Sequence, residues 1–596
     1  VTEETAKITL KKLETDFIQE ASRNDGSGIK SSKEHYREYL NEFKKFRESY
    51  TTDTKDSISV VNPMFGSEIF RLKATTEKEA KIIIQKGKNA QKIFGKMSIE
   101  DRLDFIDILD KKIKKYADDI KLTITADMGK PVDLAAAEVG KASAWPNYAK
   151  SKAKEQLEQT VTVGGKKYQS KKGYEPAGMV HVIGAFNYPL ALTMPGIIGG
   201  LAAGNNIVIS TPEKAPNWIF PFMQAAEEAA REFGEKHKFS EKEQKAFKNG
   251  LIQYAIGRDP TLSTKADVVH FVGGDAAGKA IKKARGNKPT ILELGGSNVV
   301  TVMNDAVTND AEAKEIAKKI YGGFGPTTGQ RCTAPRILLT QEGDAGKVAE
   351  QLEVVCGANA KHGSGGIGNP FTGATKKLDG DGNPELDKDG KPIEIPGTKI
   401  GPLVDNGAYK SMQEMITLAK RVGAEVHGTL DANVEGSNLP KGGHWVNPIA
   451  IDWSKAKQDP ATTKEIYTKI KEKEIFGPLL HIMSPVQDVN AAIKKTNELD
   501  THNLASAIFT KSEETKNDYF SKTYAISQTW NDAPSDKSPG GEHGHPNERH
   551  GQPIKNPDAT DAVPSLRIGG VKHFLAYCKE VILGKSHEES LVGASR

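Results

Sequence analysis

The chain has 596 residues, 83 basic against 78 acidic side chains for a net charge of +5, and 37% apolar residues, so it folds as several domains rather than one core. Its basic residues are interspersed with acids, which excludes the one-signed patch of a nucleic-acid binder, and no apolar run is long enough for a membrane span. Three scattered cysteines, Cys332, Cys356 and Cys578, exclude a disulfide framework and fit a reducing, intracellular compartment, cytoplasmic or mitochondrial.

Residues 1–57 are charged, helix-prone and poor in large apolar side chains. The opening VTEETAKITLKKLETDFIQEA has no continuous apolar stretch, so no secretory signal is expected. This segment is expected to lie on the surface or on a partner subunit. VVNPMFGSEIF (60–70) reads as the first strands, with Asn-Pro and Phe-Gly as turns. From Glu77 to Ile120 apolar residues recur at helical spacing, and Ser98 is placed to cap the helix that MSIEDRL begins. TVTVGGKKYQSKKGYEP (160–176) alternates around a Gly-Gly turn, a hairpin signal.

Strand-like runs then alternate with helical ones: GMVHVIGAF, NNIVIS, LIQYAIG, DVVHFVGG, TILELGG and NVVTVM. Apolar strands separated by helices predict a parallel sheet covered on both faces. KKLDGDGNPELDKDGKPIEI (376–395) spaces Asp379, Asp381, Asn383 and Asp387 like a calcium loop. Pro384 replaces the turn glycine and Gly390 the bidentate glutamate, so a surface hairpin is expected instead. The loop 538–564 carries His543, His545 and His550 with no cysteine or carboxylate helix beside them, and no metal site is expected.

Cys332 lies in TTGQRCTAPRI (327–337), next to Arg331 and after a run of glycines, a setting more like an exposed turn than a core. A thiol with a pKa of about 8.5 is only a few per cent ionised at neutral pH, yet its anion is a strong nucleophile. Attack on an aldehyde carbonyl gives an oxyanion that needs fixed donors. The Cys332 N–H and an amide side chain would serve, each worth about 3 kcal/mol. Taken singly, Cys332 could be a small buried hydrophobe, Glu293 a strand-end carboxylate and Asn187 a turn residue.

Five segments change that reading by their order. They are GAFNYPLALTMPGIIGGLAAGNNIVISTPEKAP (184–216), FVGGDAAGKAI (271–281), ILELGGSN (291–298), GQRCTA (329–334) and EIFGPLL (474–480). Together they resemble the NAD(P)-dependent aldehyde dehydrogenase superfamily, from about residue 58 to about 582, with ADMGKP (126–131) and IGPLVDN (400–406) as smaller echoes.

The resemblance implies an α/β, aldehyde-dehydrogenase-like fold. A Rossmann-type parallel-sheet cofactor domain would occupy 58–151 and 177–296, interrupted by an oligomerisation hairpin at 152–176. An α/β catalytic domain would span 297–525, and a C-terminal strand, loop and tail 526–596, with strand ISQTWND (526–532) pairing with the hairpin. An exposed edge there favours a homodimer or homotetramer. The active site should lie between domains at the carboxyl ends of strands.

By the same resemblance Cys332 is the nucleophile, Asn187 the oxyanion donor and Glu293 the base that activates water to release the acid from a thioester. Gly273, Gly274 and Gly278 would carry the pyrophosphate turn, with Gly274 where a phosphate-contacting serine is common, and Leu294 and Gly295 follow the base. Glu213 would accept the adenosine ribose hydroxyls, favouring NAD with NADP possible. Ser210 stands where a ribose-contacting lysine is usual, with Lys214 close by. Glu474 and Phe476 would hold the nicotinamide ribose and pack on its ring. Arg331 before the nucleophile points to a carboxylate-bearing semialdehyde. A coenzyme A-acylating relative and a catalytically silent binding protein are the alternatives, and Glu293 argues against the first.

Overall fold

The computed structural model describes residues 57–532, apart from 159–160, 164–169, 259, 357–365, 372, 378–383, 388–390, 433–438, 501 and 526, together with 577–585. The N-terminal extension, the Gly-Gly turn and the histidine loop therefore lie outside the described residues. Among the described residues no helix is long and apolar enough to cross a membrane, and no three His, Cys, Asp or Glu side chains gather as for a metal.

Strands β1 (Ser57–Asn62) and β2 (Ser67–Lys73) form the expected antiparallel pair, turned by Pro63–Gly66. Ser98 caps the helix Ile99–Lys115, its hydroxyl accepting from the Asp101 N–H at 3.1 Å. That helix sends Phe105 inward, edge-on to Phe94, Phe233 and Phe247 with ring centroids 5.4–5.6 Å apart. Three rings around Phe105 make this core unforgiving, and Phe105→Ala would cost about 3–5 kcal/mol.

The segment predicted as a hairpin begins later than expected, because residues 152–157 complete the helix Ala144–Leu157. Strands β3 (Val161–Val163) and β4 (Ser170–Pro176) pair antiparallel. A five-stranded sheet follows: β5 (Met179–Ile183), β6 (Asn206–Thr211), β7 (Ile252–Ile256), β8 (Val268–Val272) and β9 (Thr290–Glu293), ordered β7-β6-β5-β8-β9 and wholly parallel. MVHVI and VVHFV suit it, because β-branched and aromatic side chains fill a sheet covered on both faces. The chain winds from β5 outward to β7, then crosses back to β8 on the other side of β5. That reversal opens a crevice at the strands' carboxyl ends.

The second sheet has seven strands: β10 (Asn298–Val302), β11 (Pro335–Thr340), β14 (Glu425–His427), β15 (Ile449–Asp452), β16 (Leu479–Ile482), β17 (Ala505–Phe509) and β18 (Ser527–Trp530). Their order is β14-β15-β16-β11-β10-β17-β18, with only β14 antiparallel to its neighbour. Between β11 and β14 the short β12 (Thr375–Lys376) and β13 (Glu394–Ile395) close the surface hairpin read as a false calcium loop.

The expected pairing of the hairpin with residues 526–532 does not occur within the chain. β18 extends the seven-stranded sheet beside β17, and β4 pairs instead with β19 (Cys578–Lys585). The reason is register: ISQTWND continues the order of parallel strands that β10 and β17 begin.

Candidate active site

A cleft of about 780 Å³ lies between the two sheets. One wall is built by the loops that leave all five parallel strands: Asn187 after β5, Glu213 after β6, Arg258 after β7, Gly273 and Gly274 after β8, and Glu293 at the end of β9. The other wall carries Cys332, Asp405, Glu474 and Phe476. Parallel strands present uniform carboxyl ends, which is why side chains more than a hundred residues apart meet there.

The sulfur is delivered by an unusual turn. Thr327, Thr328 and Gly329 have φ of 58°, 57° and 63°, three left-handed residues in succession, two of them β-branched. Neighbours hold this conformation. The Thr327 N–H donates to the Lys399 carbonyl at 3.0 Å and the Thr328 hydroxyl to the Gly401 carbonyl at 2.8 Å. Arg336, buried behind the turn, donates to the carbonyls of Gly329 (2.7 Å), Arg331 (3.1 Å) and Gly477 (2.6 Å), tying the turn to the segment bearing Glu474 and Phe476. Cys332 is an unbridged, half-buried thiol, and its carbonyl accepts from the Asn298 amide at 2.6 Å.

Arg331 is held by the backbone of the turn. It is buried and donates to the carbonyls of Pro326 (3.1 Å) and Gly322 (3.4 Å), and it is absent from the cleft lining. The adjacent cation braces backbone. Asn187 and Glu293, both buried, line the same cleft as the thiol.

Several features fit a dinucleotide. The helix Asp275–Arg285 starts at Gly274 with no side-chain cap, leaving its first N–H groups for an anion. A Cβ at Gly274 would meet nothing within 4 Å, so this position has room for a phosphate oxygen. Gly278 does not line the cleft: a Cβ there would fall 2.6 Å from Leu294 Cδ2, so this glycine lets the helix close onto the strand end. Gly295 serves Glu474 in the same way, because a Cβ would sit 2.0 Å from Glu474 Oε2. Glu474 Oε1 is buried with no hydrogen-bond partner, an acceptor facing the cleft that ribose hydroxyls would satisfy. Burial pushes its carboxyl up to about 7, against the pull of the Arg336 guanidinium and the Gly296 N–H. Phe476 meets Phe186 edge-on at 5.6 Å, bringing the two walls into contact.

The adenosine end departs from expectation. The Ser210 hydroxyl shares a 2.8 Å hydrogen bond with His181 Nε2, while His181 Nδ1 lies 3.3 Å from Ser263 Oγ. Burial, then the Arg285 charge, brings His181 down to about 3, so a neutral pair occupies the place of the usual lysine. Lys214 is not the substitute. Its ammonium reaches across the cleft to Asp405 Oδ2 at 2.5 Å and lies 5.1 Å from the Phe186 ring centroid. The cation beside Glu213 is Arg258, 2.6 Å from Oε2.

Sequence reasoning missed Arg258, the Lys214–Asp405 bridge and the slot between the helices Pro260–Lys265 and Asp275–Arg285. The slot had a legible signal, since Ala277, Ala280, Ile281 and Ala284 recur at one-face helical spacing and all line the cleft.

Comparison with known proteins agrees with this geometry. The profile of the aldehyde dehydrogenase family matches residues 50–544. The NADP-dependent glyceraldehyde-3-phosphate dehydrogenase of Streptococcus equinus is 24% identical over 464 residues, covering 77% of this chain and 83% of that protein. The α-ketoglutarate semialdehyde dehydrogenase of Haloferax volcanii is 24% identical over 477 residues, covering 77% and 84%. The crystal structure of betaine aldehyde dehydrogenase from Staphylococcus aureus in complex with NAD+ superposes with a TM-score of 0.68 at 20% identity, covering 90% of this chain and 95% of that one. The match runs through both sheets and the cleft between them, and the chain belongs to the aldehyde dehydrogenase family.

Proposed function

We propose that the chain oxidises an aldehyde to its carboxylic acid through a covalent adduct on Cys332, using NAD or NADP. The observation that carries this reading is the convergence of Cys332, Asn187, Glu293 and Glu474, whose Oε1 is buried with no hydrogen-bond partner, on one cleft. The Cys332 thiolate adds to the carbonyl carbon and the π pair moves to oxygen, where the Asn187 amide and the Cys332 N–H stabilise it. When bound, the nicotinamide supplies the two-electron acceptor that breaking the adduct's carbon–hydrogen bond requires. The oxidised adduct is a thioester. Glu293 takes a proton from water, the resulting hydroxide adds to the thioester carbon, and the carbon–sulfur bond breaks to restore the thiolate.

Glu474, Phe476, Gly273 and Gly274 would hold the cofactor's nicotinamide ribose, ring and pyrophosphate. Glu213 would accept the adenosine ribose hydroxyls, and Arg258 beside it gives a 2′-phosphate a counter-charge, which supports use of both cofactors. The aldehyde need not carry a carboxylate. Division into a cofactor domain and a catalytic domain is supported by the two separate sheets, with β18 assigned to the catalytic one. β18 and β3 are edge strands of their sheets, which supports a homodimer or homotetramer formed by strand pairing.

The test is an aldehyde panel run in parallel with NAD and NADP, on wild type and Cys332→Ala. Acid formation by the wild type, with none by a Cys332→Ala protein that still binds NAD, is expected. A Cys332→Ala protein that still turns over would remove the covalent route, and an inert wild type that binds no NAD would favour a silent family member.

A further inference from the structure

The loop that carries Asn187 is fastened from inside the protein by a charge pair that water does not reach. Lys130 and Glu138 are both fully buried, with Nζ 2.5 Å from Oε2. Lys130 sits in the turn Gly129–Pro131 between the helices Ala117–Met128 and Val132–Ala142, and Glu138 points back from the second. The same ammonium donates to the Asn187 carbonyl and lies 3.4 Å from the centroid of the Tyr188 ring. Glu138 Oε1 accepts from the N–H groups of Leu190 (3.0 Å) and Ala191 (3.2 Å). The loop is thus gripped at both ends, by the cation at its first carbonyl and by the anion at its last amides.

Stability alone does not call for this arrangement, because apolar side chains of similar volume often replace a buried ion pair without loss. What apolar side chains cannot do is fix a short loop by its own carbonyl and N–H groups. We propose that Lys130 and Glu138 are positioning residues that hold the Asn187 amide where the oxyanion forms, an inference that rests on the role given to Asn187 above. A second contact links this device to the sulfur. A Cβ on Gly401 would lie 2.0 Å from the Gly129 carbonyl oxygen, so the two backbones touch, and the Gly401 carbonyl accepts the Thr328 hydroxyl at 2.8 Å. The turn bearing Lys130 therefore abuts the segment that fixes the thiol turn, and amide and sulfur are spaced through one backbone contact.

The test needs neither cofactor nor the physiological aldehyde. Cys332 attacks 4-nitrophenyl acetate through a tetrahedral oxyanion, 4-nitrophenolate leaves, and Glu293-activated water hydrolyses the acetyl thioester. Iodoacetamide alkylates the same sulfur by displacement, with no oxyanion. Single-turnover nitrophenolate release should fall about tenfold in Lys130→Met, with alkylation unchanged within about twofold. On an Asn187→Ala background the same substitution should cost less than about twofold. Glu138→Gln, which keeps an accepting oxygen for Leu190 and Ala191, should retain most of the rate that Glu138→Ala loses, and this pair carries the same cycle if Lys130→Met does not accumulate. Equal losses in both backgrounds, or alkylation slowed in parallel with acylation, would overturn the positioning role alone. Wild-type acylation by Asn187→Ala itself would sink the oxyanion reading and this proposal with it.

Discussion

Glu474, proposed above to hold the nicotinamide ribose, is expected to make cofactor affinity depend on pH in a direction that its surroundings fix. The carboxyl is buried against Gly295, and burial lifts it to about 7 despite Arg336 and the Gly296 N–H. Ionised, it accepts both hydroxyls of a ribose; protonated, it spends one oxygen as a donor. A midpoint near 7 leaves about one-tenth of the sites ionised at pH 6 and about nine-tenths at pH 8. NAD is therefore expected to bind about ninefold more tightly at pH 8 than at pH 6, a difference of about 1.3 kcal/mol. His181 adds nothing over this range, since it stays neutral down to about 3. Titration calorimetry of NAD at the two pH values, on wild type and Glu474→Gln, measures the effect. Equal wild-type affinities, or the full ninefold step surviving in Glu474→Gln, would refute the reasoning. Stability of the cofactor-free protein runs the other way. A carboxyl raised on folding contributes stability that is complete below the ordinary carboxylic range and lost as pH rises through about 7. Asp127, lifted to about 7 by burial against the Asn217 donors, acts in the same sense, whereas the buried His181, His270 and His481, brought down to about 3, add stability as pH rises through the ordinary histidine range, so the two effects oppose and Tm should change little between pH 5.5 and pH 8.

Arg258→Ala should weaken NADP about tenfold and NAD less than about threefold, with the gap shrinking in high salt because the guanidinium is exposed; equal losses would contradict its assignment to the 2′-phosphate. Gly295→Ala should displace the Glu474 carboxylate and reproduce the binding defect of Glu474→Gln while leaving Tm nearly unchanged, since the atom displaced ends a flexible side chain. Gly329→Ala is expected to cost stability instead, about 2 kcal/mol or more by thermal unfolding, because φ is +63° and the new Cβ would lie 2.4 Å from the Gly477 carbonyl oxygen; a wild-type Tm would refute the strain argument.

Much of the site was legible because its chemistry sits at strand ends in fixed order. Apolar runs such as MVHVI and VVHFV located the parallel sheet, and GQRCTA, ELGG and EIFGP carry Cys332, Glu293 and Glu474, which the fold brings to one cleft. What could not be read depends on tertiary partners. Arg258 reaches Glu213 only because β6 and β7 lie side by side in register, Thr211 opposite Ile256. Lys130, in a Gly-Lys-Pro turn, looks like a surface residue until the second helix folds Glu138 against it. Arg331 stands next to the sulfur in sequence, yet its hydrogen bonds to the Pro326 and Gly322 carbonyls depend on the fold of the turn. The hairpin's partner was misassigned for a similar reason: β18 and β19 both follow the catalytic segment, and alternation does not say which edge each one completes.

The left-handed triplet ahead of Cys332 carries an implication for heat tolerance. Each threonine there raises the energy of the native chain by about 1–2 kcal/mol, with no matching penalty once the protein is denatured. Glycine at 327, where the buried hydroxyl has no hydrogen-bond partner, would relieve that tension and harden the fold, yet it would also slacken the aim of the sulfur, so selection for ruggedness and selection for turnover pull this turn in opposite directions.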